Sequence, residues 1–147
     1  MAQVLESYSH RIARVYFLDN GIVNIHLDND AEVQVSDSQW QYDLLKSKFN
    51  GTDKFRILVE PGTDTSITKE AREYSTLPGS NAMTRAIAVV ISSLAHRLII
   101  NFIINLIHGQ EVKMRMFDSK EKAMEWLLNF DPAGKEIKKE AQSATTI

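Results

Sequence analysis

The sequence has no cysteine, no excess of either charge and no secretory leader pattern. Without cysteine the chain has no disulfide, thiol nucleophile or cysteine-ligated zinc, which suits a reducing compartment. The 17 basic and 19 acidic residues leave a net charge of −2 and no basic patch, so DNA and RNA are disfavoured as partners. Residues 1–8 show neither a basic region nor an apolar run, so we expect no signal peptide and a cytoplasmic protein.

Catalytic motifs are absent as well. The sequence contains no GxSxG, Walker A or GxGxxG pattern to place a hydrolase nucleophile or nucleotide phosphates. Ser92 and Ser93 lie where a predicted strand leads into a helix, but they lack the flanking glycines of a sharp turn, and helix capping explains both. The histidines stand apart from one another in no metal-binding spacing: His10, His26, His96 and His108. We therefore predict a non-enzyme without catalytic residues, metal or cofactor.

The length and amino-acid composition of the chain fit one folded domain. A chain of 147 residues with 44% hydrophobic and 24% charged residues is close to globular averages, which argues against wholesale disorder. At this length the core is large enough to fold without disulfides or a metal. We predict a single α/β domain over residues 1–131. The polar, lysine- and glutamate-rich residues 132–147 are predicted to form a flexible tail.

A β-hairpin is the first predicted element. The β-prone runs 12–18 and 22–27 are joined by a turn that contains Asn20 and Gly21. Asn-Gly between such runs favours a type I′ turn, because both positions accept positive φ. In the second run, alternate residues are apolar, so one side of the hairpin is expected to be buried.

Helices and strands then alternate along the chain. Residues 86–91 are apolar on both faces, which is typical of an inner strand, whereas 111–117 alternate as in an edge strand. The predicted elements after the hairpin are a helix that follows 36–38 and ends at 50–51, a strand over 55–60, a helix over 68–74, a strand over 86–91, a helix over 94–108, a strand over 111–117 and a helix from 118 to 130. The order β-β-α-β-α-β-α-β-α predicts a single mixed sheet packed by helices.

Residues 94–108 form the most unusual segment. Its polar residues are spaced four, four and three apart, so they share one narrow arc of a helix: Arg97, Asn101, Asn105 and His108. A serine before it caps the start and Gly109 ends it. The helix is apolar around most of its circumference, more than an ordinary surface helix requires.

Three explanations account for this apolar helix. A membrane span needs about 20 apolar residues, and this run is shorter and contains polar residues, so we predict no span. A core helix covered on two sides within the monomer is the second explanation. The third is a helix that packs on the sheet and also meets another subunit, most simply in a two-fold homodimer.

Two groups of residues are candidate sites. The loop after residue 60 leaves the carboxyl end of a strand, where ligands bind in open α/β sheets. Its candidate docking or phospho-switch residues are Asp64, Thr65 and Ser66, although turn and cap chemistry explains the same residues. The candidate crevice or interface residues are Ser92, Ser93, His96, Arg97, Ile103 and Ile107.

The end of the sequence resembles a known family. A predicted strand ends in Phe117-Asp118-Ser119, and the following helix contains Ala123 and Trp126-Leu127 in an Ala-x-x-Trp-Leu pattern. This is similar to bacterial STAS-like domains, also called SpoIIAA-like or anti-sigma-factor-antagonist-like domains, and residues 86–90 and 95–97 resemble the STAS/Sec14-related branch. The resemblance covers residues 11–130 and implies a mixed sheet with stacked helices.

The resemblance also implies a function. Such domains take part in cytoplasmic protein–protein regulation or bind a small apolar ligand, rather than catalyse a reaction. Sigma-regulating members carry a phosphorylatable serine in an Asp-[Ser/Thr]-[Ser/Thr]-Gly motif. Its counterpart here is Asp64-Thr65-Ser66, with Ile67 in place of the glycine. We therefore predict a regulatory interaction module that forms a homodimer and binds a regulatory protein partner, with a carrier or sensor of a lipid-like ligand as the alternative.

Overall fold

A six-stranded mixed sheet forms the centre of the structure, a computed structural model that describes residues 2–132. Its strands are β1 (Val4–His10), β2 (Ala13–Leu18), β3 (Ile22–Leu27), β5 (Phe55–Glu60), β7 (Thr84–Val90) and β8 (Lys113–Phe117), in that spatial order. The first three strands are antiparallel, and β3, β5, β7 and β8 are parallel. Two short strands, β4 (Glu32–Val33) and β6 (Ser66–Ile67), form a separate parallel pair.

Within residues 2–132, four α-helices pack around the sheet. They are α1 (Val35–Lys48), α2 (Lys69–Ser75), α3 (Leu94–Leu106) and α4 (Lys120–Leu128), with a 3₁₀ turn at Pro78–Asn81. Because the parallel strands follow one another in one direction across the sheet, right-handed crossovers place α1, α2 and α3 on one face. Helix α4 packs on the other face, against β5, β7 and β8.

The core has one layer on each side of the sheet. Successive strand residues point to opposite faces, so Ile57 packs in the α1 layer and Leu58 in the α4 layer. Leu45 of α1 joins Ile57, and Leu127 of α4 joins Leu58. Ile103 of α3 forms a third cluster with neighbours from β7 and β8. Helices α1, α3 and α4 are therefore held by the apolar side chains that face the sheet.

The predicted mixed sheet, with all nine of its elements, is confirmed. The strand over 86–91 corresponds to the inner strand β7, and the strand over 111–117 to the edge strand β8. The strand β1 was not predicted, because none of its residues is buried and its sequence lacks an apolar face. The predicted hairpin is therefore the second and third strands of a three-stranded meander. The predicted tail, residues 132–147, lies outside the described residues apart from Pro132.

The predicted type I′ turn is wrong. Of the Asn20-Gly21 pair only Gly21 has a positive φ, of 88°. The Gly21 N–H donates to the carbonyl oxygen of Leu18 at 3.0 Å, and the side chain of Asn20 accepts from the N–H of Ile22. Three residues, Asp19 to Gly21, therefore form the loop, as in hairpins in which one glycine adopts the left-handed conformation after a tight turn.

Two helix starts differ from the predicted ones by a few residues. Helix α1 is capped by Gln34 rather than by residues 36–38, and the Asp37 carboxylate accepts the Gln34 N–H at 2.8 Å. Helix α4 begins at Lys120 rather than at residue 118, and Ser119 caps it, since the Ser119 hydroxyl oxygen accepts the N–H of Lys122. In both cases several polar residues are adjacent in sequence, and only the backbone path selects one of them.

The start of α1 is also held by an ion pair. The Arg11 guanidinium donates to the buried carboxylate of Asp37, which holds the pKa of Asp37 below its usual range. We expect Asp37→Asn to lower the free energy of unfolding by about 1–3 kcal/mol at pH 7, because a charge-assisted hydrogen bond and a cap weaken together. Urea unfolding followed by circular dichroism measures this loss.

The pH dependence of the same pair has a defined sign. Since the folded-state pKa of Asp37 is lowered, its stabilisation is complete above the unfolded value of about 3.9 and is lost as the pH falls through the folded value. The difference in stability between wild type and Asp37→Asn should therefore shrink as the pH drops below about 4. Asp43→Asn, at an exposed position of the same helix, is the matched control. If the difference in stability between wild type and Asp37→Asn stayed the same at low pH, the Asp37 carboxylate would not be the source of this stabilisation.

Candidate interaction surface

Of the two candidate hydroxyls after β5, that of Thr65, in the loop between β5 and β6, is buried and that of Ser66, at the start of β6, is exposed. Thr65 is 8% exposed, and its Oγ1 lies 3.0 Å from the carbonyl oxygen of Asp28 and 2.9 Å from that of Gly62. Ser66 and Asp64 are exposed, and Asp64 has a φ of 57°. Of the two candidate hydroxyls, that of Ser66 is the one that a partner or a kinase reaches directly.

Gly62 gives this loop its close packing. A Cβ atom at Gly62 would lie 2.6 Å from the backbone nitrogen of Asn29 and 2.7 Å from the carbonyl carbon of Asp28. We expect Gly62→Ala to lower the free energy of unfolding by about 2–3 kcal/mol, because backbone atoms have to move apart. The matched control is Gly79→Ala, where nothing lies within 4 Å of the added atom. Equal urea midpoints for the two variants would contradict this reading of the loop.

A histidine connects this loop to the start of α3. His96 is 7% exposed, and its Nε2 lies 3.0 Å from the carbonyl oxygen of Thr65. A carbonyl oxygen only accepts, so Nε2 carries the proton in this contact. Ser93 caps α3 by accepting the backbone N–H of His96 at 3.1 Å. The two predicted candidate sites therefore touch each other through one buried hydrogen bond.

Removal of this histidine should loosen both segments. We expect His96→Ala to cost about 1–3 kcal/mol of unfolding free energy, since the buried carbonyl of Thr65 loses its donor. Amide hydrogen exchange should rise in residues 61–66 and in the first turn of α3. His108→Ala, at an exposed position beyond the same helix, is the control. Unchanged exchange in residues 61–66 would show that the contact does not hold the loop.

Helix α3 presents a row of exposed apolar side chains. Leu94, Leu98, Phe102 and Leu106, here called the α3 stripe, are 69%, 61%, 48% and 48% exposed. Their spacing of four places them on one ridge of the helix, about 18 Å long at 1.5 Å per residue. Large apolar side chains in a contiguous row are costly to leave in water. The described residues therefore do not cover α3 on both sides.

The other candidate residues of this region take different places. Ile103 and Ile107 are 4% and 3% exposed and pack against the sheet, so they belong to the core of the monomer. Ser92, Ser93 and Arg97 are exposed around the start of α3. The α3 stripe was not singled out from the sequence. In the sequence, the four stripe residues are spaced four apart beside the polar arc of the helix. The sequence does not tell, however, which apolar ridge of the helix faces the sheet.

Charge is nearly absent from this helix. Arg97 is the one charged residue between Leu94 and Leu106, and Asn101 and Asn105 continue its polar ridge beside the stripe. The guanidinium of Arg72, from α2, lies 5.8 Å from the centre of the Phe102 ring. The stripe therefore offers apolar contact and amide hydrogen bonds, but little basis for selecting a strongly charged partner.

A cavity beneath α1 bears on the carrier alternative. It has a volume of about 120 Å³ and lies between α1, α2 and the sheet, with Tyr42, Tyr74 and Ile107 among its walls. Sites for drug-sized ligands have volumes of about 300–1,000 Å³. This cavity is therefore too small for a lipid-like molecule.

A polar network lies on the opposite face of the sheet. The buried amide of Asn24 donates to a carboxylate oxygen of Glu60 at 2.9 Å, and that same oxygen lies 2.9 Å from Nε2 of His26. Lys120 approaches it to 3.6 Å. The network satisfies a polar side chain in an apolar sheet face and gives His26 a structural partner.

Two classes of site are not found in the described part of the chain. Within residues 2–132, no three histidine or carboxylate side chains are grouped so as to hold a metal ion. None of the helices over the same residues has the length and apolarity to cross a bilayer.

Comparisons with known proteins agree with this architecture. Residues 16–131 match a family described as a domain of unknown function, DUF7793. The fold is similar to that of an uncharacterised protein from the DUF3478 family with a SpoIIAA-like fold, from Shewanella loihica PV-4. The TM-score is 0.52 at 14% identity, over 86% of this chain and 95% of that chain. No curated protein matches the sequence. The predicted resemblance to SpoIIAA-like domains is thus confirmed for the fold.

Proposed function

Since this chain belongs to the DUF7793 family and has a SpoIIAA-like fold, we propose that it is a non-enzymatic, regulatory protein-interaction module that works as a homodimer. The observation that carries the proposal is the α3 stripe, a row of large apolar side chains that the described residues leave in water. We place its action in the bacterial cytoplasm, as the resemblance to STAS-like domains implies.

A second copy is the partner that fits the stripe best. A ridge with a spacing of four packs against its own copy at a crossing angle of about −50°. If the two-fold axis is perpendicular to the helices, they run antiparallel, and Leu98 of one copy meets Phe102 of the other. This arrangement is self-complementary and keeps the two Arg97 side chains towards opposite ends of the contact. The stripe carries no charge that would require an oppositely charged partner instead.

The regulatory part of the proposal rests on the loop beside the stripe. Ser66 is exposed, and the preceding residue, Thr65, is bound to His96 near the beginning of the stripe. A phosphate or a protein bound at Ser66 therefore acts close to the α3 contact. Asp64 adds a negative charge to the same loop and favours a partner with basic groups.

Sedimentation equilibrium of the purified full chain tests the dimer. At micromolar concentration we expect twice the monomer mass of 16.7 kDa. A single species of monomer mass up to tens of micromolar would overturn the proposal of a homodimer.

The regulatory role needs a separate test. The full chain and its Ser66→Asp variant are used as baits in a lysate, and the proteins captured by each are compared, with Ser47→Asp on α1 as the control. We expect Ser66→Asp alone to change the captured set. Identical sets for all three baits would rule out the loop as a switch.

A further inference from the structure

The edge strand β8 borders an open groove. Within residues 2–132 it pairs with β7 on one side only, so its other side presents unpaired backbone groups. The groove has a volume of about 570 Å³ and lies between the end of α3 and helix α4. Its apolar lining includes Ile104, Met114, Trp126 and Phe130. An extended chain placed there would gain both backbone hydrogen bonds and apolar contacts.

Among the described residues, 2–132, the charges that line this groove all have one sign. Lys113 and Arg115 are exposed and are the charged side chains among the residues that line it. The Arg115 guanidinium lies 5.1 Å from the centre of the Phe117 ring, which directs it along the strand. Glu111, which precedes the strand, is bound by the ammonium of Lys54 at 2.9 Å, and this contact lowers the pKa of Glu111. The edge is therefore a basic one.

The same charges discriminate between possible occupants. Two copies of β8 paired edge to edge would bring Lys113 and Arg115 close to their own counterparts, which is destabilising. Basic residues on an edge also protect against aggregation, and that role alone would explain the two side chains. Protection does not require the apolar groove that runs beside them. A strand in which acidic and apolar residues alternate matches both the basic charges and the apolar groove. Its carboxylates contact Lys113 and Arg115, and its apolar residues enter the groove.

We propose that β8 captures an extended segment of a partner protein, in which acidic and apolar residues alternate, by adding it to the sheet as a further strand. This inference deepens the interaction role proposed above, and it gives the chemistry of the partner. It uses a surface separate from the α3 stripe, so the dimer and the captured strand are compatible.

A synthetic peptide that alternates glutamate and valine provides the probe. We titrate it into the full chain and follow the fluorescence of its two tryptophans, of which Trp126 lines the groove, together with the amide exchange of β8. The expected result is saturable binding with slowed exchange at residues 113–117. A lysine–valine peptide should bind at least about tenfold more weakly, since its charges face Lys113 and Arg115. A glutamate–valine peptide with N-methylated backbone should not protect β8.

Charge reversal in the protein tests the direction of the preference. Lys113→Glu with Arg115→Glu should weaken the acidic peptide about tenfold and strengthen the lysine–valine peptide. The control, Lys46→Glu with Lys122→Glu, makes the same change of net charge at exposed positions outside the groove. Sedimentation of both double variants keeps the two proposals apart, because each should remain a dimer if the α3 contact is correct.

Several results would overturn strand capture. One is the absence of peptide binding, and another is equal binding of the acidic and basic peptides. Protection of residues 113–117 without any peptide would mean that a second copy or another segment of this chain already pairs with β8. Peptide binding by a monomeric protein would leave strand capture intact and remove only the homodimer.

Discussion

Replacing Leu98 and Phe102 by glutamate should turn the protein into a monomer without unfolding it. Both side chains lie on the α3 stripe and are 61% and 48% exposed, so the monomer loses little packing. In a dimer each would be buried, and burial of such a side chain contributes about 1.5–3 kcal/mol. We therefore expect the dissociation constant to rise at least about 100-fold, as measured by sedimentation, with the urea midpoint nearly unchanged.

A matched double variant separates this surface from a general effect of charge. Leu5→Glu with Leu128→Glu introduces the same two charges at exposed leucines away from α3, which are 68% and 42% exposed. This control should remain a dimer. If both double variants are monomeric, the dimer responds to net charge rather than to the stripe. A Leu98→Glu, Phe102→Glu protein that remains a dimer would place the interface elsewhere.

The structure makes this test possible where the sequence did not. In the sequence, Ile103 and Ile107 were candidate interface residues on a helix that is apolar on most sides. Charges at those positions would unfold the monomer and break an interface alike, because both residues are buried against the sheet. The exposed ridge one position away carries the same apolar character without serving the core. Only the docking of α3 onto β7 and β8 tells the two ridges apart.

Periodicity predicted most of the fold because each predicted helix or strand has its own spacing of apolar and polar residues. The alternation in β8 and the continuous apolar run of β7 fix their places at the edge and inside the sheet. Strand β1 was missed for the opposite reason. It has no buried residue, and it forms because β2 offers a free edge, which is not a property of residues 4–10 themselves.

Contacts between distant residues account for what the sequence could not reveal about the candidate site. Thr65 and His96 are 31 positions apart, and Asn24 and Glu60 are 36 apart. Neither pair belongs to a motif with fixed spacing. The first pair meets because parallel strands align their carboxyl ends, so the segments that follow β5 and β7 lie at one edge of the sheet. The second pair meets because β3 and β5 are neighbouring strands, in which Asn24 is paired with Leu58, two residues before Glu60. The sequence indicated which loop and which helix start mattered, but not the hydrogen bond between them.

The largest loss of stability is expected from Arg56→Ala. Arg56 is 8% exposed near the start of β5, where burial lowers its pKa. Its guanidinium donates to the carbonyl oxygens of Phe130 at 3.0 Å and Asn20 at 3.2 Å, so it ties the end of α4 to the β2–β3 turn. Removing it leaves both carbonyls without this donor and opens a cavity. We expect a loss of about 3–5 kcal/mol in urea unfolding.

Two further substitutions test whether hydrogen bonds or burial of charge dominates at this position. Arg56→Met keeps the apolar volume and removes a buried charge, so it should cost only about 1–2 kcal/mol. Arg56→Lys keeps the buried charge but lacks the planar guanidinium group that reaches two carbonyl oxygens at once. We therefore expect Arg56→Lys to be less stable than Arg56→Met. A lysine variant as stable as wild type would show that charge alone suffices.

Gly21 provides an internal check on the same contact. A Cβ atom at Gly21 would lie 2.7 Å from Nη2 of Arg56, and the φ of 88° is strained for any other residue. Gly21→Ala should therefore destabilise wild type through both the clash and the backbone strain. In the Arg56→Met background the clash is gone and the cost should fall to the strain alone, about 1 kcal/mol. Equal costs in the two backgrounds would mean that the guanidinium moves aside freely and does not hold the turn.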